Sequence, residues 1–192
     1  MIRLETPRLT LRNWEDRDRD LFFRINSDDE VMRFFPFRRS RAEADAFLDT
    51  LRAGNAERGY GFAAMEAKDS GAAIGFTGLY PSGPIPPRPE GAVEIGWRLA
   101  PEFWGKGYVT EAGEEWLRFG FEGLGLDEIV SFAVWNNHAS TAVMERLGMR
   151  RDPAGDFDHP KVPDTHPALK RHVFYTLSRD DWRRRQATIS PS

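Results

Sequence analysis

The residues best suited to chemistry lie in the stretch Glu94-Ile95-Gly96-Trp97-Arg98-Leu99-Ala100-Pro101-Glu102-Phe103-Trp104-Gly105-Lys106-Gly107-Tyr108-Val109-Thr110-Glu111-Ala112. It reads as a strand, a glycine turn and the start of a helix. Two glycines flanking one lysine let successive backbone N–H groups turn inward into a concave nest, and the helix that follows adds the positive end of its dipole. Such a site suits a phosphate. A G-x-G turn taken alone more often does no more than start a packed helix. A second motif adds specificity. About thirty residues on, a strand from Glu128 to Val134 runs into Trp135-Asn136-Asn137-His138-Ala139-Ser140, and a further helix ends at Leu147-Gly148-Met149.

The elements that must position these motifs follow from periodicity. Leu9-Thr10-Leu11-Arg12 alternates apolar and polar and predicts a first strand after Pro7. Leu21, Phe22 and Ile25 recur at helical spacing between Glu15 and Asn26. Glu30 to Phe37 is aromatic-rich and reads as a short turn or helix, with Phe34-Phe35-Pro36-Phe37 as a patch for a dimer face or an acceptor cleft. Ser40 with Glu43 forms a capping box for a helix expected to stop at Gly54. Tyr60–Glu66 and Ala73–Tyr80 read as antiparallel strands joined by a short turn. Pro81 to Gly91 is a proline-rich loop, and Ala92–Leu99 is the next strand. The helix after the glycine turn carries Val109, Ala112, Trp116 and Phe119 on one face. Its crossover makes the strand Glu128–Val134 parallel to Ala92–Leu99. An irregular segment from Asp152 to Lys170, a strand Arg171–Ser178 and an exposed Arg-rich tail complete the chain. One domain over residues 1–180, with a basic tail over 181–192, is the expected organisation.

Composition narrows the function. The chain has 192 residues and a net charge of −3 from 27 basic and 30 acidic side chains, which argues against bulk nucleic-acid binding. It has no cysteine, so thiolate metal sites and cysteine nucleophiles are excluded. No metal is expected, because the four histidines lack ligand spacing. No apolar run is long enough to cross a bilayer, and a soluble cytoplasmic protein without a membrane partner is expected.

Strand, glycine turn, helix, strand, Asn-x-x-Ser, helix and Leu-Gly-Met together resemble the acyl-CoA-binding core of the GNAT superfamily of N-acetyltransferases. Trp104-Gly105-Lys106-Gly107-Tyr108-Val109-Thr110-Glu111-Ala112 and the opening Glu5-Thr6-Pro7-Arg8-Leu9-Thr10-Leu11-Arg12 are similar to the RimJ/RimL branch, which acetylates protein N-termini and other amines. The superfamily pattern Q/R-x-x-G-x-G/A falls on Trp104 to Val109, with Trp104 and Val109 departing from it. The resemblance implies an α/β fold with a mixed, mostly antiparallel sheet flanked by helices and a splayed central parallel pair. It also implies acetyl-CoA as acyl donor and a primary amine as acceptor, either a protein N-terminus or a small molecule, in a monomer or homodimer. Main-chain groups of Ile95, Gly96 and Trp97 would pair with the pantetheine arm as an added strand does. Amides of Gly105, Lys106, Gly107, Tyr108, Val109 and Thr110 would hold the diphosphate, and Asn137 and Ser140 would reach the cofactor from another wall.

An alkylamine of pKa about 10.4 is protonated at neutral pH, so a base must act before attack. Glu94 is the candidate, directly or through water. Where many family members have a tyrosine acid, four residues beyond Ser140, this chain has Met144, so Ser140 becomes the donor toward the departing thiolate. The loop Pro81–Gly91 and the segment Asp156-Phe157-Asp158-His159-Pro160 are candidates to border the acceptor entrance.

Two rivals remain. A dinucleotide enzyme fits Gly105-x-Gly107 but misplaces its ribose-binding acid, since Asp127 precedes its strand. A non-catalytic acyl-CoA or peptide-binding module with the same fold is the second, kept open by Met144 and Val109.

Overall fold

The computed structural model describes residues 3–189, which divide into two compact units. The first comprises the chain up to Tyr80 together with Gly96–Glu115. In it, β1 (Arg3–Glu5), β2 (Leu9–Arg12), β3 (Phe62–Ala67) and β4 (Ala72–Pro81) pair antiparallel in order, with Leu4 opposite Leu11, Leu11 opposite Met65 and Ala64 opposite Phe76. Strand β5 (Val93–Leu99) follows β4, and the Ala100 amide donates to the Ile74 carbonyl at 3.1 Å. The helices α1 (Arg19–Ser27) and α2 (Arg41–Arg58) bring Phe22, Ile25, Ala44, Leu48 and Leu51 onto Trp14, Ala64 and Phe76. Trp14 meets Phe22 edge-on at 4.7 Å and donates its indole N–H to the Phe62 carbonyl at 2.9 Å. This apolar cluster holds β3, β4 and the second half of β5 in place.

The capping box at Ser40 forms as the spacing predicts, with the Ser40 amide donating to Glu43 at 2.7 Å and the Glu43 amide to the Ser40 hydroxyl at 3.3 Å. The expected stop at Gly54 is corrected: α2 runs on to Arg58 and closes at Gly59. Burial explains the extension, since Asn55 is buried and its side-chain N–H₂ donates to Asn13 and to the Phe62 carbonyl. Strand β1 was not legible because its three residues are short and largely exposed.

The second unit comprises Pro81–Ile95 and the chain from Trp116 onward. Here β5 pairs in parallel with β6 (Glu128–Val134), Glu94 lying opposite Val130. Strand β6 then pairs antiparallel with β9 (Arg171–Ser178) along its full length, and β9 also takes the short strands β7 (Arg150–Arg151) and β8 (Phe157–Asp158). The fold is thus mixed α/β, with a mostly antiparallel sheet and one parallel pair, as expected. The helix after the glycine turn, α3 (Tyr108–Arg118), passes from the first unit to the second and ends in a wider turn over Phe119–Gly123, with the Leu124 amide donating to the Phe119 carbonyl. Phe119, read as part of the buried stripe, is only half-buried, while Leu117 and Phe121 are buried. Helix α4 (His138–Arg146) follows β6. The stretch read as an exposed basic tail folds from Arg179 to Ile189 as α5, because Trp182 is buried and packs on Phe121 at 5.4 Å. Ser178 starts it, accepting from the Asp181 amide at 3.1 Å.

Candidate active site

In the first unit, the glycine turn has the backbone a phosphate nest requires. Gly105 and Gly107 adopt φ of +71° and +77°, a region L side chains rarely enter, and nothing lies within 4 Å of a Cβ built on Gly105. Conformation rather than crowding therefore demands glycine there. The first helical bond of α3 runs from the Glu111 amide to the Gly107 carbonyl at 3.0 Å. The amides of Tyr108, Val109 and Thr110 precede that bond, at the positive end of the helix dipole. Residues 104–107 are exposed and 108–110 half-buried, so this end of α3 is open to a ligand.

Several side chains hold the turn. The Trp104 indole donates to the Leu99 carbonyl at 2.9 Å, and the Lys106 ammonium lies 5.5 Å from the centre of the Phe103 ring. Arg8, which sequence reasoning quoted only as part of a motif, donates to the Lys106 carbonyl at 2.9 Å, to Glu111 at 2.6 Å, and stacks 4.4 Å from the Tyr108 ring. Glu111 also accepts from the Thr6 hydroxyl at 2.6 Å and the Arg8 amide at 2.8 Å. Burial raises the Glu111 pKa, but hydrogen bonds from Thr6 and Arg8 outweigh it and hold the carboxyl below its usual range. A negative charge in the first turn would oppose a diphosphate, and Arg8 neutralises it. A cavity of about 360 Å³ lined by Pro7, Arg8, Lys68, Asp69 and Tyr108 adjoins this brace.

On β5, alternation puts Glu94, Gly96 and Arg98 on one face of the strand and Ile95 and Trp97 on the other. The Gly96 carbonyl accepts from the buried Thr77 hydroxyl at 3.1 Å, and a Cβ at Gly96 would lie 3.0 Å from the Phe62 ring. Trp97 is half-buried.

In the second unit, the parallel ladder is registered at Glu94 and Val130, and the next β5 carbonyl, of Ile95, is met by the buried Ser131 hydroxyl at 2.9 Å. Thr77 and Ser131 were missed; their signal was a lone hydroxyl residue inside an apolar strand. Glu94 lies opposite Val130, which is part of a buried apolar cluster with Ile85, Phe157 and Phe174. That environment pushes the Glu94 pKa up to about 7 by desolvation, with Lys161 pulling the other way. Beyond it His159 and His172 lie 4.9 Å apart, stacked among Phe132 and Phe157. Burial holds both imidazoles below their usual pKa, His159 down to about 4, so both are neutral at pH 7. The irregular segment thus contributes Lys161 to the electrostatic surroundings of Glu94.

Asn137 caps α4, its side-chain oxygen accepting from the Ser140 amide at 3.3 Å. Capping uses only that oxygen and leaves the Asn137 N–H₂ as a donor. The Ser140 hydroxyl has no partner among the described residues, and Met144 is buried. Asp127 is paired with Arg179 at 2.9 Å ahead of β6, away from any ribose-binding position. Among the described residues no cluster of His, Asp or Glu is placed to hold a metal ion.

Residues 8–150 match the family profile of an acetyltransferase (GNAT) domain. The chain is 30% identical over 191 residues to FsC-acetyl coenzyme A-N(2)-transacetylase of Aspergillus fumigatus, covering 95% of this chain and 79% of that one. It is also 30% identical over 184 residues to the N-acetyltransferase YnaD of Bacillus subtilis, covering 94% of this chain and 99% of the relative. Among solved structures, a GNAT-family acetyltransferase from Bacillus anthracis superposes with a TM-score of 0.76 over 93% of this chain and 99% of its own, at 22% identity.

Proposed function

The chain belongs to the GNAT family of acetyltransferases, and on that premise we propose that it moves an acetyl group from acetyl-CoA to a primary amine by direct transfer. The name of the Aspergillus relative supports acetyl-CoA as the donor. The observation that carries the reading is the turn in which two left-handed glycines precede the open amides of α3. Amides from Gly105 to Thr110 bind the diphosphate, while main-chain groups of Ile95, Gly96 and Trp97 hold the pantetheine arm between diverging strands. The N–H₂ of Asn137 adds a donor. Bound acetyl-CoA supplies the acyl group as a thioester.

Glu94 takes a proton from the acceptor ammonium, directly or through one water, because its raised pKa keeps it a competent base near neutral pH. The amine nitrogen then bonds to the acetyl carbon as the carbon–sulfur bond breaks, and the nitrogen loses its second proton to solvent to give the neutral amide. Ser140 delivers a proton to the departing sulfur and regains one from solvent, and the Ile95 or Gly96 amide polarises the carbonyl. The opening motif and the Trp-Gly-Lys-Gly-Tyr turn support a RimJ/RimL-like acceptor, a protein N-terminus or a small amine. This chemistry requires no metal, nucleic acid or membrane, and a monomer or homodimer would perform it.

Thiol release from acetyl-CoA, followed with a thiol reagent across a panel of amines and N-terminal peptides, tests the reading. Release that depends on the amine is expected. Absence of release with every amine, in a protein that binds CoA by calorimetry, overturns it.

A further inference from the structure

Among the described residues, four arginines of the first unit, Arg33, Arg39, Arg58 and Arg98, lack the carboxylate that most arginines of this chain lie against, and Arg98 and Arg39 meet at one buried residue. Arg12, Arg19, Arg41, Arg52 and Arg88 all lie against carboxylates. Arg98 and Arg39 have no carboxylate within ion-pair reach among the described residues. Both are half-buried. The Arg98 guanidinium donates to the side-chain oxygen of Asn26 at 2.5 Å and lies 4.4 Å from the Phe35 ring and 5.3 Å from Phe76. Arg39 lies 4.9 Å from Phe37 and 4.4 Å from Phe47, and its Nε is buried without a hydrogen-bond partner.

Asn26 ties the two together. It is fully buried, donates to the Phe22 carbonyl at 2.7 Å, receives Arg98 on its side chain and receives the Arg39 amide on its main-chain carbonyl at 3.0 Å. Phe35 and Phe37, 6.0 Å apart, are 38% and 42% exposed beside them. Burial and the neighbouring positive charge of Arg39 push the Arg98 pKa down to about 9, and burial lowers the Arg39 pKa although the Glu43 carboxylate pulls it the other way. An arginine fork in apolar surroundings is relieved by a planar anion that accepts two parallel hydrogen bonds.

We propose that Arg98 and Arg39, rimmed by Phe35 and Phe37, recognise a carboxylate on the acceptor, so that the preferred substrate is an amine carrying a free acid. This rests on the acetyl-transfer reading for the amine but not for the anion. Arg98 shares the face of β5 that carries Glu94, which places acid recognition on the strand proposed to bear the base. The Phe rims favour an acceptor with an apolar spacer between the two groups.

Three matched series test it on the full chain: ω-amino acids, n-alkylamines of equal length, and ω-aminoalkylphosphonates, each assayed by thiol release. Calorimetry with hexanoate, which cannot be acetylated, reads the anion site alone. At the best chain length the ω-amino acid should exceed the alkylamine in kcat/KM by about tenfold or more. Arg39→Gln and Arg98→Gln should each bring that ratio toward one and abolish hexanoate binding, and Arg98→Lys should retain part of both. Circular dichroism checks folding, and Arg39→Gln, on the connection between α1 and α2, carries the test should Arg98→Gln not fold. Equal kcat/KM for acid and alkylamine, a preference for phosphonates, or no hexanoate binding overturns the proposal. Hexanoate binding that is lost in the variants, with no thiol release from any amine, sinks acetyl transfer and leaves the anion site standing.

Discussion

At Glu94 the deciding quantity is hydration. The residue is recognisable in the sequence as an acid in a strand leading to the glycine turn, but its pKa is raised by burial and opposed by Lys161 far along the chain. None of that is visible in the local sequence. A carboxyl whose folded pKa is about 7 binds more protons in the native than in the unfolded state across the window from its ordinary value of 4.5 up to about 7. Stability therefore falls as pH rises through that window, by no more than about 3 kcal/mol. Glu94→Gln removes the titration. At pH 8 the variant should melt higher than the parent and at pH 4 about equally, while kcat drops by roughly a hundredfold and loses its limb near pH 7. Melting curves at the two pH values and a pH–rate profile check this. A variant that keeps the acidic limb removes Glu94 from the role of base.

At the level of elements, the glycine turn was legible because its chemistry is local: two glycines, a lysine and a helix start are all within a few residues. Its brace was not, because Thr6 and Arg8 reach Glu111 across more than a hundred residues of chain. The same distinction runs through the helices. The capping box of α2 is a four-residue signal and forms as expected, whereas the end of α2 depends on Asn55 being buried against Asn13 and Phe62. For the turn, Gly107→Ala puts a Cβ on a residue at φ +77° and costs about 1–2 kcal/mol of strain. The expected result is a several-fold weaker Kd for CoA by calorimetry, with the helical circular dichroism unchanged. An unaltered Kd would remove the turn from the diphosphate.

At the level of the whole molecule, the described chain has no helix long and apolar enough to cross a membrane, and both of its compact units have apolar cores of their own. Helix α5 belongs to the second of these. Trp182→Ala leaves a cavity against Phe121 and should lower stability by about 3–5 kcal/mol in denaturant melts, while the Kd for CoA stays within twofold of the parent. A change under 1 kcal/mol would return α5 to the status of a tail. Sequence alone determined the order of strands and helices around the glycine turn, the parallel pairing of β5 and β6, and the family resemblance. Those properties rest on periodicity, turn chemistry and crossover handedness, which act over short spans or leave few alternatives. Tertiary structure decided which charges are neutralised and which are not: Arg8 covers Glu111, Lys161 opposes the raised pKa of Glu94, and among the described residues Arg39 and Arg98 have no carboxylate within ion-pair reach. Charge and burial depend on what lies nearby in space, and folding brings those neighbours from anywhere in the chain.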